Sequence, residues 1–323
     1  MKKDFLSITD LSKEEIIYLI ELAITLKEEL INNGINMSYL KNKTLTMIFE
    51  KPSLRTRVSF ETAMAQFGGH AIYLAPNHIG LDKRETIGDI ARVLSSMSNI
   101  IMARVFRHSL VEELAKHSSV PVINGLSDLE HPCQILADLL TIYECKKKFH
   151  GLKIAYFGDS ENNIPHSLAL ASGILGMNFI TASPKGYWIK KDIAETAKKS
   201  AKKNGCQIIE TDDPKKAADN ADVIYTDTWI SMGDEEEEQK RLKIFPPYQV
   251  TSKLMNLAKK DAIFMHDMPA YRDHEVSSEV IDGKQSIVFH QAENRLHAQK
   301  ALLIFLLNNS NCAAFTPELM NAA

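Results

Sequence analysis

Two hydrophobic rhythms alternate along this chain. Near the N-terminus Ser12 and Glu15 have the spacing of a capping box, and Ile16, Ile17, Leu19, Ile20, Leu22 and Ala23 follow at helical intervals. An amphipathic helix is predicted there. Leu45 opens LTMIFEK, a short apolar run of the kind that forms a buried strand. A helix is predicted to begin near Ser53 and to stop at Gly68-Gly69. The alternation continues with AIYL as strand, ETIGDIARVLSSM as helix, IIMARV as strand, LVEELAKH as helix and PVINGL as strand. Such βα repetition predicts a parallel sheet with helices on both faces.

The long helix HPCQILADLLTIYECKKK ends this series, and Gly151 opens a second one. Its strands are LKIAYFG, NFITASP, CQIIET, VIYTD and IFMHDM, with helices over SLALASGILG and Lys191 to Lys203. The domain boundary is placed between Lys146 and Gly151. QSIVF reads as the last strand. The apolar helix after it, Leu296 to Leu307, either closes the second domain or packs back on the first. The fold class is therefore α/β, with two domains, each a parallel sheet flanked by helices.

Size agrees, since 323 residues suit two domains of about 150 each. A net charge of −3 argues against a general binder of nucleic acid or anionic membrane. An anionic substrate then needs a local cluster of basic groups. Cys133, Cys145, Cys206 and Cys312 are scattered, without metal-ligand spacing, and read as reduced thiols of a cytoplasmic protein. MKKDFLSITDLSKEE has no apolar run for a signal peptide, and no apolar stretch is long enough to span a membrane.

Candidate chemistry gathers at the strand-to-helix junctions. Ser53-Leu54-Arg55-Thr56-Arg57 brings hydroxyls, guanidinium groups and free backbone N–H groups to a helix start, which suits a phosphate. Spacing alone also allows a capped helix with two surface arginines. Arg104 ends an apolar strand, where an open parallel sheet places its ligands; a salt bridge is the plainer reading. His131 and Gln134 share one face of a helix's first turn and can address a carbonyl oxygen and an amide, although a histidine there can simply be a cap.

Three segments, FEKPSLRTRVSFETAMAQFGGHAIYL, MARVF and DLEHPCQILADLLTIYE, together resemble the aspartate/ornithine carbamoyltransferase family. Leu54 replaces a Thr of the family's phosphate motif. The loop Asp227-Thr228-Trp229-Ile230-Ser231-Met232-Gly233 is similar to that of the ornithine-using branch, and Gly158 to Asn163 matches a turn whose second Asn meets the ornithine backbone. Glu293-Asn294-Arg295 is intact. His266-Asp267-Met268-Pro269 stands where the family carries His-Cys-Leu-Pro, and Gly80 stands where relatives carry a Gln or His that reaches a neighbouring subunit. The run Glu235 to Glu238 is read as a solvated helix face.

The resemblance implies transfer of the carbamoyl group of carbamoyl phosphate to L-ornithine in arginine metabolism, in a cytoplasmic homotrimer without metal or organic cofactor. It implies that Ser53, Leu54, Arg55, Thr56 and Arg104 hold phosphate, and that Arg104, Thr56 and His131 polarise the carbamoyl oxygen. Gln134 and the backbone carbonyls of Asp267 and Met268 would orient the carbamoyl amide, and Arg295 would add positive charge. Asn163, Asp227, Ser231 and Met232 would hold ornithine. Arg104, His131, Asp227, Asp267 and Arg295 form the expected catalytic set. The implied domains are 1–147 plus 292–323 for carbamoyl phosphate, with the C-terminal helix packed back on it, and 148–291 for ornithine. A carbamoyltransferase for putrescine or an acylated ornithine, a non-catalytic carbamoyl phosphate binder and a nucleotide-binding protein remain as alternatives. The last lacks both GxGxxG and GxxxxGK[ST] loops.

Overall fold

Each βα series folds into its own parallel sheet in the computed structural model, which describes residues 2–75, 85–230 and 235–308. Chain contacts define two units. One holds the described residues of 1–6, 15–127 and 296–323, the other 7–14 and 128–295. Gly80, Ser231, Met232, Gly233 and Cys312 lie outside the described residues.

In the first unit, α1 (Lys13–Asn33) precedes β1 (Thr44–Phe49), α2 (Leu54–Gln66), β2 (His70–Leu74), α3 (Ile87–Met97), β3 (Ile100–Arg104), α4 (His108–His117) and β4 (Val122–Leu126). The strand order is β2-β1-β3-β4, all parallel. Every residue of β3 and β4 is buried, as expected of strands covered on both faces. Ile87, Ile90 and Ala91 of α3 and Leu110, Val111 and Leu114 of α4 cover Ile48, Ile101 and Ala103.

The second unit carries α5 (Pro132–Lys146), β5 (Lys153–Phe157), α6 (Asn163–Leu175), β6 (Asn178–Ala182), α7 (Lys191–Lys203), β7 (Ile208–Thr211), β8 (Val223–Thr226), α8 (Glu238–Ile244) and β9 (Ile263–Met265). Its parallel order is β7-β6-β5-β8-β9, with β5 central. Phe157, Ile224, Phe264 and Val288 are among its fully buried apolar residues, each worth about 1.5–3 kcal/mol of transfer free energy.

One predicted element is different. QSIVF is not a strand: Ser286 makes a single bridge to Phe264, and the chain turns into α9 (Val288–Asn308) at once. Apolar Ile287 and Val288 mimic a strand, but Val288 is the inner face of a first helical turn. Glu293, Asn294 and Arg295 therefore ride on a helix. From Leu296 onward α9 packs in the first unit, where the Lys300 ammonium donates to Asn36 and Phe305 meets Tyr18 at 6.2 Å between ring centres.

Candidate active site

The carboxyl edge of the first sheet collects the expected phosphate residues. Register pairs Phe49, the last residue of β1, with Arg104, the last of β3. The segment leaving β1 and the Arg104 side chain thus emerge from adjacent strands. Ser53 caps α2, its Oγ accepting the Thr56 N–H at 3.3 Å. Thr56 and Arg104 are buried, while Leu54 is exposed. Arg57 is engaged elsewhere. It bonds Glu61, and its guanidinium lies 4.0 Å from the Tyr73 ring centre. A residue that no sequence motif singles out, Lys51, is buried at the same edge with Nζ 4.4 Å from the Phe106 ring centre.

In the second unit His131 occupies the cap position of α5, with Pro132 next, but its side chain makes no capping bond. Its backbone N–H donates to Ser167 Oγ at 3.0 Å, and Ser167 in turn donates to Glu130. Gln134, one turn in, is held at both ends of its amide. Nε2 donates to Asp138 at 2.9 Å, and Oε1 accepts from Arg295 on α9. Cys133 beside it is buried, and burial pushes its thiol up to about 12, so it stays neutral and unreactive.

Asp227 directly follows β8 and is nearly enclosed. It accepts the Thr228 N–H at 2.6 Å and the Asn162 amide at 2.9 Å. Asn163, the residue expected from the motif, is the first residue of α6; its neighbour Asn162, the cap of α6, touches the carboxylate. No spacing argument distinguishes two adjacent asparagines, so this partner was not legible. Gly158 makes the turn possible: its φ is +121°, and a Cβ there would sit 3.3 Å from Trp229. Asp159 pairs with buried Arg241 of α8 at 2.6 Å, and Arg241 also holds the Trp229 carbonyl. Of the acidic run, Glu236 and Glu238 are exposed, while Glu237 pairs with Arg241.

Asp227, His266 and Asp267 bring polar atoms within 4.8 Å of one another. Burial, and then the Asp267 carboxylate, hold Asp227 well above the usual carboxylate range. Burial opposes charge on His266, but Asp267 and Glu275 outweigh it and raise the imidazole to about 10. Its Nδ1 also accepts the Met268 N–H at 2.9 Å, which favours the neutral ring, while Nε2 meets Glu275 at 3.1 Å. With both ring nitrogens engaged, the trio could ligate a metal only by giving up one of these bonds. Met268 sits at φ +60° before a cis proline, and this turns the Asp267-Met268 backbone sharply at the strand end. Clustered, largely buried carboxylates suit a cationic amine.

Comparison with known proteins follows the same division. The carbamoyl-P binding domain of aspartate/ornithine carbamoyltransferase matches residues 3–144, and the Asp/Orn binding domain matches residues 150–306. The chain belongs to the aspartate/ornithine carbamoyltransferase family. An ornithine carbamoyltransferase of Methanosarcina acetivorans is 55% identical over 307 residues, 95% of this chain and 100% of that protein. One from Anoxybacillus flavithermus is 54% identical over 305 residues, 94% of this chain and 96% of its own. Among solved structures, ornithine carbamoyltransferase from Pyrococcus furiosus superposes with a TM-score of 0.90 at 50% identity, covering 94% of this chain and 96% of its own. The anabolic enzyme of Campylobacter jejuni also gives 0.90, at 43% identity over 95% and 99%. The two family domains meet between residues 144 and 150, whereas chain contacts group residues 128–146, including α5, with the second unit.

Proposed function

We propose that the chain is an ornithine carbamoyltransferase that converts carbamoyl phosphate and L-ornithine to L-citrulline and phosphate. The observation that carries this is the match of both family domains together with more than half identity to enzymes of that name over nearly the whole chain. The amine lone pair attacks the carbamoyl carbon, and the carbonyl oxygen takes the displaced electron pair. As that oxyanion collapses, the bond to phosphate breaks and phosphate leaves with its pair and the amine proton.

In this scheme Ser53, Leu54, Arg55, Thr56 and Arg104 hold the phosphate. Arg104, Thr56 and His131 stabilise the oxyanion. Gln134 and the Asp267 and Met268 carbonyls orient the carbamoyl amide, with Arg295 behind Gln134. Asp227, Asn163, Ser231 and Met232 receive ornithine; the Asn162 bond to Asp227 supports that role for the carboxylate. Residues 1–147 plus 292–323 serve carbamoyl phosphate, and 148–291 serve ornithine. Bringing two substrates into one geometry supplies up to roughly 7–11 kcal/mol of the barrier.

A homotrimer follows from the family resemblance, and exposed Leu54 and Val58 on α2 with Ile72 on the edge strand β2 supply apolar surface for self-association. Arginine metabolism in the cytoplasm is the proposed setting. Among the described residues no helix is long and apolar enough to cross a membrane. Mixing carbamoyl phosphate labelled at its carbonyl carbon with L-ornithine should move the label into a ureido carbon, with one phosphate released per citrulline. Labelled carbonate without a ureido signal would overturn the proposal.

A further inference from the structure

Asp138 lies one turn beyond Gln134 on α5, fully buried, and none of the roles above uses it. Three donors surround its carboxylate. Gln134 Nε2 reaches Oδ1 at 2.9 Å, Gln291 Nε2 reaches Oδ1 at 2.7 Å, and the Tyr225 hydroxyl reaches Oδ2 at 2.9 Å. Gln291 lies on α9 and Tyr225 on β8, so three elements converge on one acid. Gln291 Nε2 also meets the Tyr225 oxygen at 3.0 Å, and its Oε1 accepts the His266 N–H at 2.9 Å.

These bonds leave no freedom in the direction of either amide. The His266 N–H can only donate, so Gln291 must present Oε1 to it and Nε2 to Asp138. An ionised Asp138 can only accept, so Gln134 must present Nε2 to it. Gln134 Oε1 is thereby turned to Arg295, which can only donate. A chain of obligatory donors and acceptors thus runs from the turn at His266 through Asp138 to Gln134. Without the acid, Gln134 Nε2 would lose its acceptor, and the bond from Arg295 alone would hold the amide, leaving the side chain free to swing about that one contact.

We infer that Asp138 is a positioning residue for carbamoyl transfer: it fixes the orientation of the Gln134 amide and links it to the His266-Asp267-Met268 turn. This rests on the reading that Gln134 addresses the carbamoyl amide. Burial pushes the Asp138 carboxyl up to about 7, while Gln134, Gln291 and Tyr225 favour the ionised form and Asp267 opposes it. Function in this arrangement is acceptance of hydrogen bonds, more than charge.

The test compares carbamoyl phosphate with inorganic phosphate, which has no carbamoyl group, by calorimetry on the full-length protein. Asp138→Ala should weaken carbamoyl phosphate about tenfold or more, the loss expected for a buried bond to a charged acceptor, and leave phosphate within about twofold. Asp138→Asn keeps an acceptor oxygen toward both glutamines and should retain most of the wild-type affinity. If the alanine variant does not fold, Asp138→Ser serves the same comparison. Equal weakening of both ligands, or none, would overturn the inference, as would an asparagine variant no better than alanine. Gln134→Ala separates the two layers. If it leaves the preference for carbamoyl phosphate intact, the role of Gln134 itself fails; if it abolishes the preference and Asp138→Ala does not, only the positioning role fails.

Discussion

Glu130, immediately before His131, gives a pH-dependent stability that can be measured without substrate. Its side chain is buried, and its Oε2 accepts the Ile8 N–H at 3.2 Å and the Ser167 hydroxyl at 3.0 Å. Burial, helped by the charge of Asp10, pushes the carboxyl from 4.5 up to about 7 against these hydrogen bonds. A raised carboxyl favours the protonated folded state. Its stabilising share is complete below the unfolded value near 4.5 and is lost as pH rises through about 7. Integrated between pH 5 and pH 8, the loss is about 2–3 kcal/mol. Glu130→Gln keeps an acceptor and the shape but cannot ionise. Urea unfolding of both proteins at the two pH values should show the variant gaining about 2–3 kcal/mol on wild type between pH 5 and pH 8. A difference between the two proteins that is the same at both pH values would refute the reasoning.

The division of labour predicts that Arg55→Ala weakens carbamoyl phosphate binding about tenfold or more while Asp227→Ala leaves it within about twofold, as read by calorimetry. Asp267→Cys removes the carboxylate that helps raise Asp227, so the acid limb of the pH–rate profile should move to lower pH than in wild type; an unmoved limb would show that Asp267 acts through its backbone alone. Gly158→Ala should cost about 1–2 kcal/mol in urea unfolding, because an L side chain is strained at φ +121° and meets Trp229.

Much of this architecture was legible because the elements are local. The helix Lys191–Lys203 ends at the residues its periodicity predicts, and the buried strands announce themselves as short apolar runs. QSIVF misled because two apolar residues at a helix start look like the end of a strand. The basic and hydroxyl residues at Ser53 to Thr56 and Arg104 could be singled out as candidates because they follow or end strands, where a parallel sheet exposes its ligand crevice. Partners distant in sequence could not. Gln291 reaches Asp138 across 153 positions and Tyr225 reaches it across 87, and nothing in either segment's pattern announces a buried acid. Asp267 could be noticed as a departure from the family, but its effect on Asp227 needed the geometry that brings the two carboxylates together.

The most direct measurement is the rate of phosphate release from carbamoyl phosphate with a panel of amines at fixed pH. The carboxylates Asp227 and Asp267 and the similarity to ornithine carbamoyltransferases predict that L-ornithine gives by far the highest kcat/KM, with putrescine, N-acetylornithine and L-aspartate far below it. A higher kcat/KM for any of those three, or release that does not depend on an amine, would contradict the account.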